Sequence, residues 1–331
     1  MAVAANTVET YDNIVIREDL AEQYSMVSPE VTPFQQAIGT GKAPTQPHHE
    51  WPTLELAAPD GANRVMEGET APPIDAGTLA ERISNYTQIS DKVVSVTHTS
   101  DASDAAANNV HQFAKQMVIK IRELKRDMEV MLLQNVAANP GASGTARVAA
   151  GFPAFIKTNT IGGLGGADPE LSGGTNGYPD TAATPGAAVP FDEEMFNDVI
   201  QACWNEGGSP TIAMMNGNNK RILSETFTGA ANIYKDRMDK TLVNAVEIYE
   251  SDFGQLSAIP NRFQPTLAAD NYYIALLDPD YAHVAFLETM RQKPLAETGH
   301  SRNRLLWCEY TLVVDNEKAH GIIRDTTGLA A

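Results

Sequence analysis

Cysteine is nearly absent from this chain of 331 residues: Cys203 and Cys308 are its two thiols, far apart and each beside apolar neighbours. Two distant thiols make neither a disulfide framework nor a paired-ligand zinc site. Both are read as buried free thiols, in a chain made in a reducing cytoplasm. Cations are scarce as well. Lys and Arg number 24 against 42 Asp and Glu, a formal net charge of −18. Affinity for nucleic acid comes from cations that displace counterions from phosphate, and anionic membrane surfaces attract the same side chains. A chain this acidic is a poor ligand for either. Long apolar runs are missing too. No window approaches the roughly 18 apolar residues of a membrane span. The start, Met1 to Thr10, has no cationic residue and no secretory signal is expected.

What remains is ordinary globular material. Hydrophobic residues are 43 % and charged residues 20 %, close to average usage. The length fits one large or two moderate units with a sizeable core.

Residues 1–50 read as an arm. A short helix is expected to start near Arg17, and Pro29 and Pro33 then break any regular element. Such a segment makes no core of its own and must lie on the fold or on a neighbour. Residues 51–100 read as an extended β-hairpin loop. Its rising strand lies near Trp51–Leu56 and its returning strand at Arg82–Thr99, rich in Ile, Val and Thr. The tip between them, Ala57–Pro73, is punctuated by Pro and Gly. A long, thinly apolar hairpin is unstable alone, so it is expected to lean on another chain.

The clearest helix spans 105–137. Met117, Ile121, Leu124, Met128 and Met131 recur at spacings of four and three, which places them on one stripe. Asp104 is its expected N-cap and Asn139-Pro-Gly141 its stop. Lys115, Lys120, Arg122, Lys125 and Arg126 form the opposite, solvated face. Composition then shifts: 11 of the 24 glycines fall in 139–190, read as a surface loop or insertion. Residues 191–331 read as a mixed α and β unit. Helices are expected at Phe191–Glu206, capped by Asp192 and ended by Gly207-Gly208, and at Asn219–Phe227. Strands are expected near Thr211–Met215, Val246–Tyr249, Tyr272–Leu277, Val284–Leu287, Leu305–Val314 and His320–Asp325. The order lacks the βαβ rhythm of a doubly wound sheet.

Motifs that carry chemistry fail one by one. Gly162-Gly-Leu-Gly-Gly166 is followed by Asp168-Pro169 and more glycine, without the lysine and helix start of a phosphate loop. His48-His-Glu50 has no third ligand at metal spacing and reads as a loop pair. Cys308 with His300 or His320 would make a thiol nucleophile, but its apolar flanks favour a core strand. Asp278-Pro-Asp280 reads as a turn. No catalytic, cofactor-binding or metal residue is assigned, and no enzyme is expected.

Several segments, in chain order, carry a resemblance. They are Asn85-Tyr-Thr-Gln-Ile89, Glu123-Leu-Lys-Arg-Asp-Met-Glu129, Asn205-Glu-Gly-Gly-Ser-Pro210 and Ser251-Asp-Phe-Gly254. Asn261-Arg-Phe263, Leu295-Ala-Glu-Thr-Gly299 and Leu312-Val-Val-Asp-Asn-Glu-Lys-Ala-His-Gly321 complete the set. Together with the order of elements, the chain resembles the major capsid (major head) proteins of tailed double-stranded-DNA bacteriophages, over about residues 11–325 but poorly over 158–190.

The resemblance implies an α+β, Hong Kong 97-type fold. Its parts would be an N-terminal arm (1–50), an extended loop (51–100) overlapping a neighbouring subunit, and a peripheral domain (101–157) with its spine helix. A Gly-rich insertion or loop (158–190), a mixed α/β axial domain (191–294) and C-terminal strands returning to the peripheral domain (295–331) would follow. The function implied is self-assembly into hexamers and pentamers of an icosahedral head that encloses double-stranded DNA without sequence-specific binding. The implied place is the virion, assembled in the host bacterial cytoplasm, with no membrane partner. It leaves room for a scaffolding protein, a portal and a decoration protein as partners. The arm has no room for a fused scaffold, so a separate scaffold or none is expected, with little trimming. Lys92 is the lone hairpin lysine and lies off the tip, so no covalent cross-links are expected. An acidic inner wall would repel the genome weakly. Three alternatives stay open: an encapsulin-like compartment around a protein cargo, a soluble enzyme without readable motif, and a ring-forming tail or adaptor protein.

Overall fold

The computed structural model describes residues 31–68, 77, 79–102, 112–174, 176–227, 247–268, 271–297 and 299–327. The helix near Arg17, the Asp104 cap and the start of the long helix fall outside them.

Pro33, expected to break the chain, instead opens a short helix, α1 (Pro33–Ile38). Its missing N–H and fixed φ suit the first helical position. Phe34 and Ile38 are buried, so the arm joins the core. The hairpin begins with β1 (His48–Thr53), which pairs antiparallel with β2 (Glu81–Tyr86), Trp51 opposite Ile83. His48, His49 and Glu50 therefore lie on a strand and not in a loop. The returning strand is not continuous. It breaks at Thr87 and resumes as β3 (Gln88–Thr97), which leaves the first sheet to pair with β12 (Ser301–Val314). The break is held by side chains. Buried Asn85 donates through Nδ2 to the Leu312 carbonyl (2.9 Å), and its Oδ1 accepts from Ala150 N (2.9 Å). Thr87 N donates to the Pro47 carbonyl.

A short helix, α2 (His98–Ala102), precedes the spine helix α3 (Gln112–Leu133). The latter stops four residues short of the expected end at 137. Beyond Leu133 the backbone leaves the helix for tertiary partners: Gly151 N donates to the Val136 carbonyl and Ala138 N to the Pro179 carbonyl. A Cβ on Gly151 would sit 1.9 Å from the Gln134 carbonyl oxygen, so the close approach that ends the helix requires glycine. Met117, Leu124 and Met128 are buried along the expected stripe.

The Gly-rich stretch is more than a loop. It contains β4 (Thr160–Ile161), β5 (Glu170–Gly173) and β6 (Asn176–Thr181). The first sheet has the order β1-β2-β6-β5, with β6 parallel to β2 at Ile83 opposite Gly177. Helix α4 (Glu193–Asn205) starts as expected, the Asp192 carboxylate accepting from Met195 N. Then come β7 (Ile212–Met215), α5 (Gly217–Phe227), β8 (Ile248–Ser251), β9 (Gly254–Pro260) and β10 (Asn271–Leu277). Strand β9 was not expected; two of its residues, Leu256 and Ala258, are buried apolar positions, too few for an alternation to show. Strand β11 (Ala282–Pro294) runs well beyond the expected Val284–Leu287, because it pairs with β12 along most of its length. The last strand is β13 (Gly321–Thr327).

A six-stranded sheet, β4-β13-β10-β7-β9-β8, divides two cores. Successive strand residues point to opposite faces. Tyr273, Ala275, Met214 and Ile322 enter a core shared with α3, Phe34, Trp51 and Phe152. Their neighbours Ile274, Leu276, Met215 and Ile323 enter a second core with Phe196, Ile200 and Leu223. Burial on both faces explains why these strands read as continuous apolar runs.

Candidate assembly elements

The hairpin changes character along its length. At the base, Trp51 is buried and its Nε1 donates to the Val314 carbonyl (2.9 Å). Past Thr53 the described residues of the loop, 54–68, 77, 79 and 80, lie in no helix or strand, and their large apolar side chains turn outward. Leu54, Leu56, Val65, Met66 and Leu79 are all exposed, Leu56 by 90 % and Leu79 by 87 %. Large apolar groups gathered on one exposed segment mark an interaction site. Glu55, Asp60 and Glu67 lie among them, against Arg64.

A groove of about 540 Å³ lies between α3 and the far end of β11. Ile121, Met290, Pro294, Leu306 and Trp307 make it largely apolar, and Arg291 and Lys293 also line it.

Buried polar groups fasten the parts together. Glu129 on α3 is fully buried. Its carboxylate accepts from Phe34 N (2.7 Å), Gln35 N (3.1 Å) and Asn261 Nδ2 (2.7 Å). One side chain thus ties the arm, the spine helix and the loop after β9. Burial pushes its carboxyl pKa up, against the pull of these donors. A second junction forms at the 3-10 turn Glu317–Ala319. Lys318 Nζ lies 2.9 Å from Glu55 and 3.0 Å from Glu206, and the bond to Glu55 pushes its pKa up. A third pins the Gly-rich stretch. Asp325, at φ 59°, accepts from Gly163 N, and Arg324 donates to the Ala167 carbonyl and to Asp168. A Cβ on Gly163 would sit 1.6 Å from the Ala187 carbonyl oxygen, so these glycines serve close backbone crossing rather than phosphate binding.

The residues weighed for chemistry are placed separately. Cys203 and Cys308 are free and buried, and burial pushes their thiols up to about 12 and about 11, so neither is a ready nucleophile. Cys308 Sγ approaches the Ser90 carbonyl and Met128 Sδ. His320 is buried, its Nδ1 accepting from Asp278 N (3.2 Å), and burial lowers its pKa to about 4. His48 stacks on Tyr86 and His49 lies against Trp51. Among the described residues no group of three His, Cys, Asp or Glu is placed to hold a metal ion. None of the described helices is long and apolar enough to cross a membrane. Lys92, on β3, pairs with Asp127 of α3 at 2.5 Å.

Four of the segments that carried the resemblance meet at these junctions: Glu129 with Asn261, and Glu206 with Lys318. No local signal in the sequence gives any of the four a role, since their partners lie far apart in the chain.

A family model described as SU10 major capsid protein matches residues 3–327. No curated protein matches the chain. Among solved structures, the capsid asymmetric unit of Cyanophage A-1(L) is similar at 12 % identity, with a TM-score of 0.66, covering 96 % of this chain and 98 % of that one. The capsid of a native GTA particle is similar at 15 % identity and a TM-score of 0.59, covering 98 % and 100 %. The SrpI encapsulin of Synechococcus elongatus is similar at 9 % identity and a TM-score of 0.56, covering 96 % and 94 %. At such identities the likeness carries the fold alone.

Proposed function

The chain belongs to the SU10 major capsid protein family, and from that premise we propose that its copies interlock as hexamers and pentamers of an icosahedral phage head around double-stranded DNA. The role is that of a structural capsid protein built by many copies of one chain on the Hong Kong 97-type α+β fold. The observation that carries the finer reading is the exposed apolar loop, residues 54–68 and 79, which follows the buried, hydrogen-bonded Trp51. In this reading the loop of one copy lies in the groove between α3 and β11 of another, apolar against apolar. Its Asp60 and Glu67 face the cations Arg291 and Lys293 that line the groove. Interlocking contacts of this kind bury thousands of Å², which suits a segment whose apolar side chains are exposed among the described residues.

Residues 101–157 then serve as the peripheral domain and 191–294 as the axial domain around each capsomer centre, with 295–331 returning to the periphery. The formal charge of −18 supports a wall that does not grip DNA. Scaffold, portal and decoration proteins are the further partners in this reading, and assembly takes place in the host bacterial cytoplasm. The assignment is structural and includes no catalytic step.

Electron microscopy of the chain expressed alone and with its candidate scaffold tests this. Closed shells, or hexamer and pentamer rings, are expected. A stable monomer or small dimer under every condition overturns it. The encapsulin likeness supports a second reading, a protein compartment, and the content of the particles separates the two: packaged DNA for a head, a protein cargo for a compartment.

A further inference from the structure

The half-buried turn between β12 and β13 is fixed by an unusual number of side-chain bonds. The Asn316 side chain accepts from Lys318 N (3.0 Å). Asn159 Nδ2 donates to the carbonyls of Lys318 (2.7 Å) and His320 (3.0 Å). The Glu317 carboxylate accepts from Lys157 N (3.0 Å), Thr158 N (3.1 Å) and the Thr158 hydroxyl. On the axial side, a Cβ on Gly208 would come 2.7 Å from Ala319 Cα, so the exit of α4 lies flat on the turn.

From this anchored backbone the Lys318 side chain reaches two elements at once. Glu55 lies two residues beyond the end of β1, where the loop has left its sheet. Glu206 is the C-cap residue of α4. Beneath the bridge a cavity of about 200 Å³ is lined by Glu55, Ile83, Phe155, Lys157, Leu171 and Lys318. The loop base is therefore not seated here by close packing. The ion pair spans a gap.

We propose that Lys318 is a positioning residue for assembly: a strut between the extended loop and the axial helix that sets the angle at which the loop leaves the body, and thereby the curvature of the shell. The proposal rests on the capsid reading. Ion pairs this exposed contribute little to stability, so the strut acts on direction. A loop of residues 54–80 reaches at most about 45 Å from its base, so a rotation of about 5° there moves the tip by about 4 Å. A shift of that size takes an apolar side chain out of contact, since contact ends within about 4.5 Å.

The test compares Lys318→Met, Lys318→Arg and Glu55→Gln with the unaltered chain, by thermal unfolding of the unassembled protein and by particle diameters in electron micrographs. Lys318→Met is expected to shift the melting temperature by less than about 3 °C. It is expected to lower the share of particles with the original diameter at least fivefold, in favour of other sizes and open sheets. Lys318→Arg, which keeps the charge, restores most of the original diameter. Glu55→Gln, at an exposed position, reproduces the Lys318→Met effect in part and decides the matter if Lys318→Met fails to fold. Unchanged diameters in both neutral variants overturn the strut while leaving the capsid reading intact. Absence of shells and rings from the unaltered chain overturns the capsid reading, and the strut with it.

Discussion

The base and the tip of the extended loop are parts of one hairpin and obey opposite rules. At the base, Trp51 is buried, hydrogen-bonded to Val314 and opposite Ile83. Beyond it, towards the tip, Leu54, Leu56, Val65 and Leu79 have comparable apolar surface and are exposed among the described residues. Burial of such groups drives both folding and association. The difference is which chain supplies the cover. The base is completed within the molecule; in the proposed reading the tip is completed by a neighbouring copy, so stability and assembly are separable along a few residues of sequence.

The sharpest way to break this comparison is at the base. Trp51→Ala should cost the unassembled protein about 3–5 kcal/mol, read from urea unfolding, because it opens a cavity and leaves the Val314 carbonyl without its donor. A loss below about 1 kcal/mol would mean that the base is no more part of the fold than the tip.

Acid tests the interior on the same side of the comparison. The buried His320 has its pKa lowered to about 4 from an unperturbed value of about 6.5. A depressed histidine contributes stability that is fully present above about pH 6.5 and lost as pH falls toward 4. The loss amounts to roughly 3 kcal/mol at full protonation. Glu129, with its carboxyl raised by burial, works in the opposite direction. Its contribution grows on acidification, so the His320 effect is read as the difference between the parent chain and His320→Gln, whose stability should fall less steeply between pH 6.5 and 4.

Glu129→Gln should weaken the tie between arm and spine by about 2 kcal/mol. An amide cannot accept from all three donors with the strength of a carboxylate. Faster proteolysis around residues 31–40, with little change elsewhere, is the expected sign. At the tip the smallest effect is predicted. Leu56→Ser should leave the stability of the unassembled chain within about 0.5 kcal/mol while reducing shell formation severalfold in light scattering. A shift in stability comparable to that of Trp51→Ala would erase the distinction between base and tip.

Much of this was legible where the signal is local. Asp192 was readable as a cap because its partner, Met195 N, is three residues away. The stripe from Met117 to Met128 was readable because helical period and burial coincide. Strands β7 and β10 were readable as short apolar runs. Legibility failed where distant residues decide. Pro33 reads as a breaker, yet it opens a helix whose first amides are met by Glu129, 95 residues on from Phe34. The strand Arg82–Thr99 reads as continuous, yet Asn85 binds Ala150 and Leu312 and turns it into a second sheet. The Gly-rich stretch reads as a loop, yet Asp325 and Arg324 fasten it and β2 extends it into a sheet.

By itself the sequence determined the acidity, the amphipathic spine and the caps of α4, since each depends on composition or on residues within a turn or two of one another. The tertiary structure alone decided which sheet each strand enters, where the spine ends, and that Glu129 and Lys318 each tie together elements far apart in the chain. Those outcomes rest on hydrogen bonds, ion pairs and close packing between residues tens to hundreds of positions apart. Such contacts exist only once the two cores have brought their partners within reach.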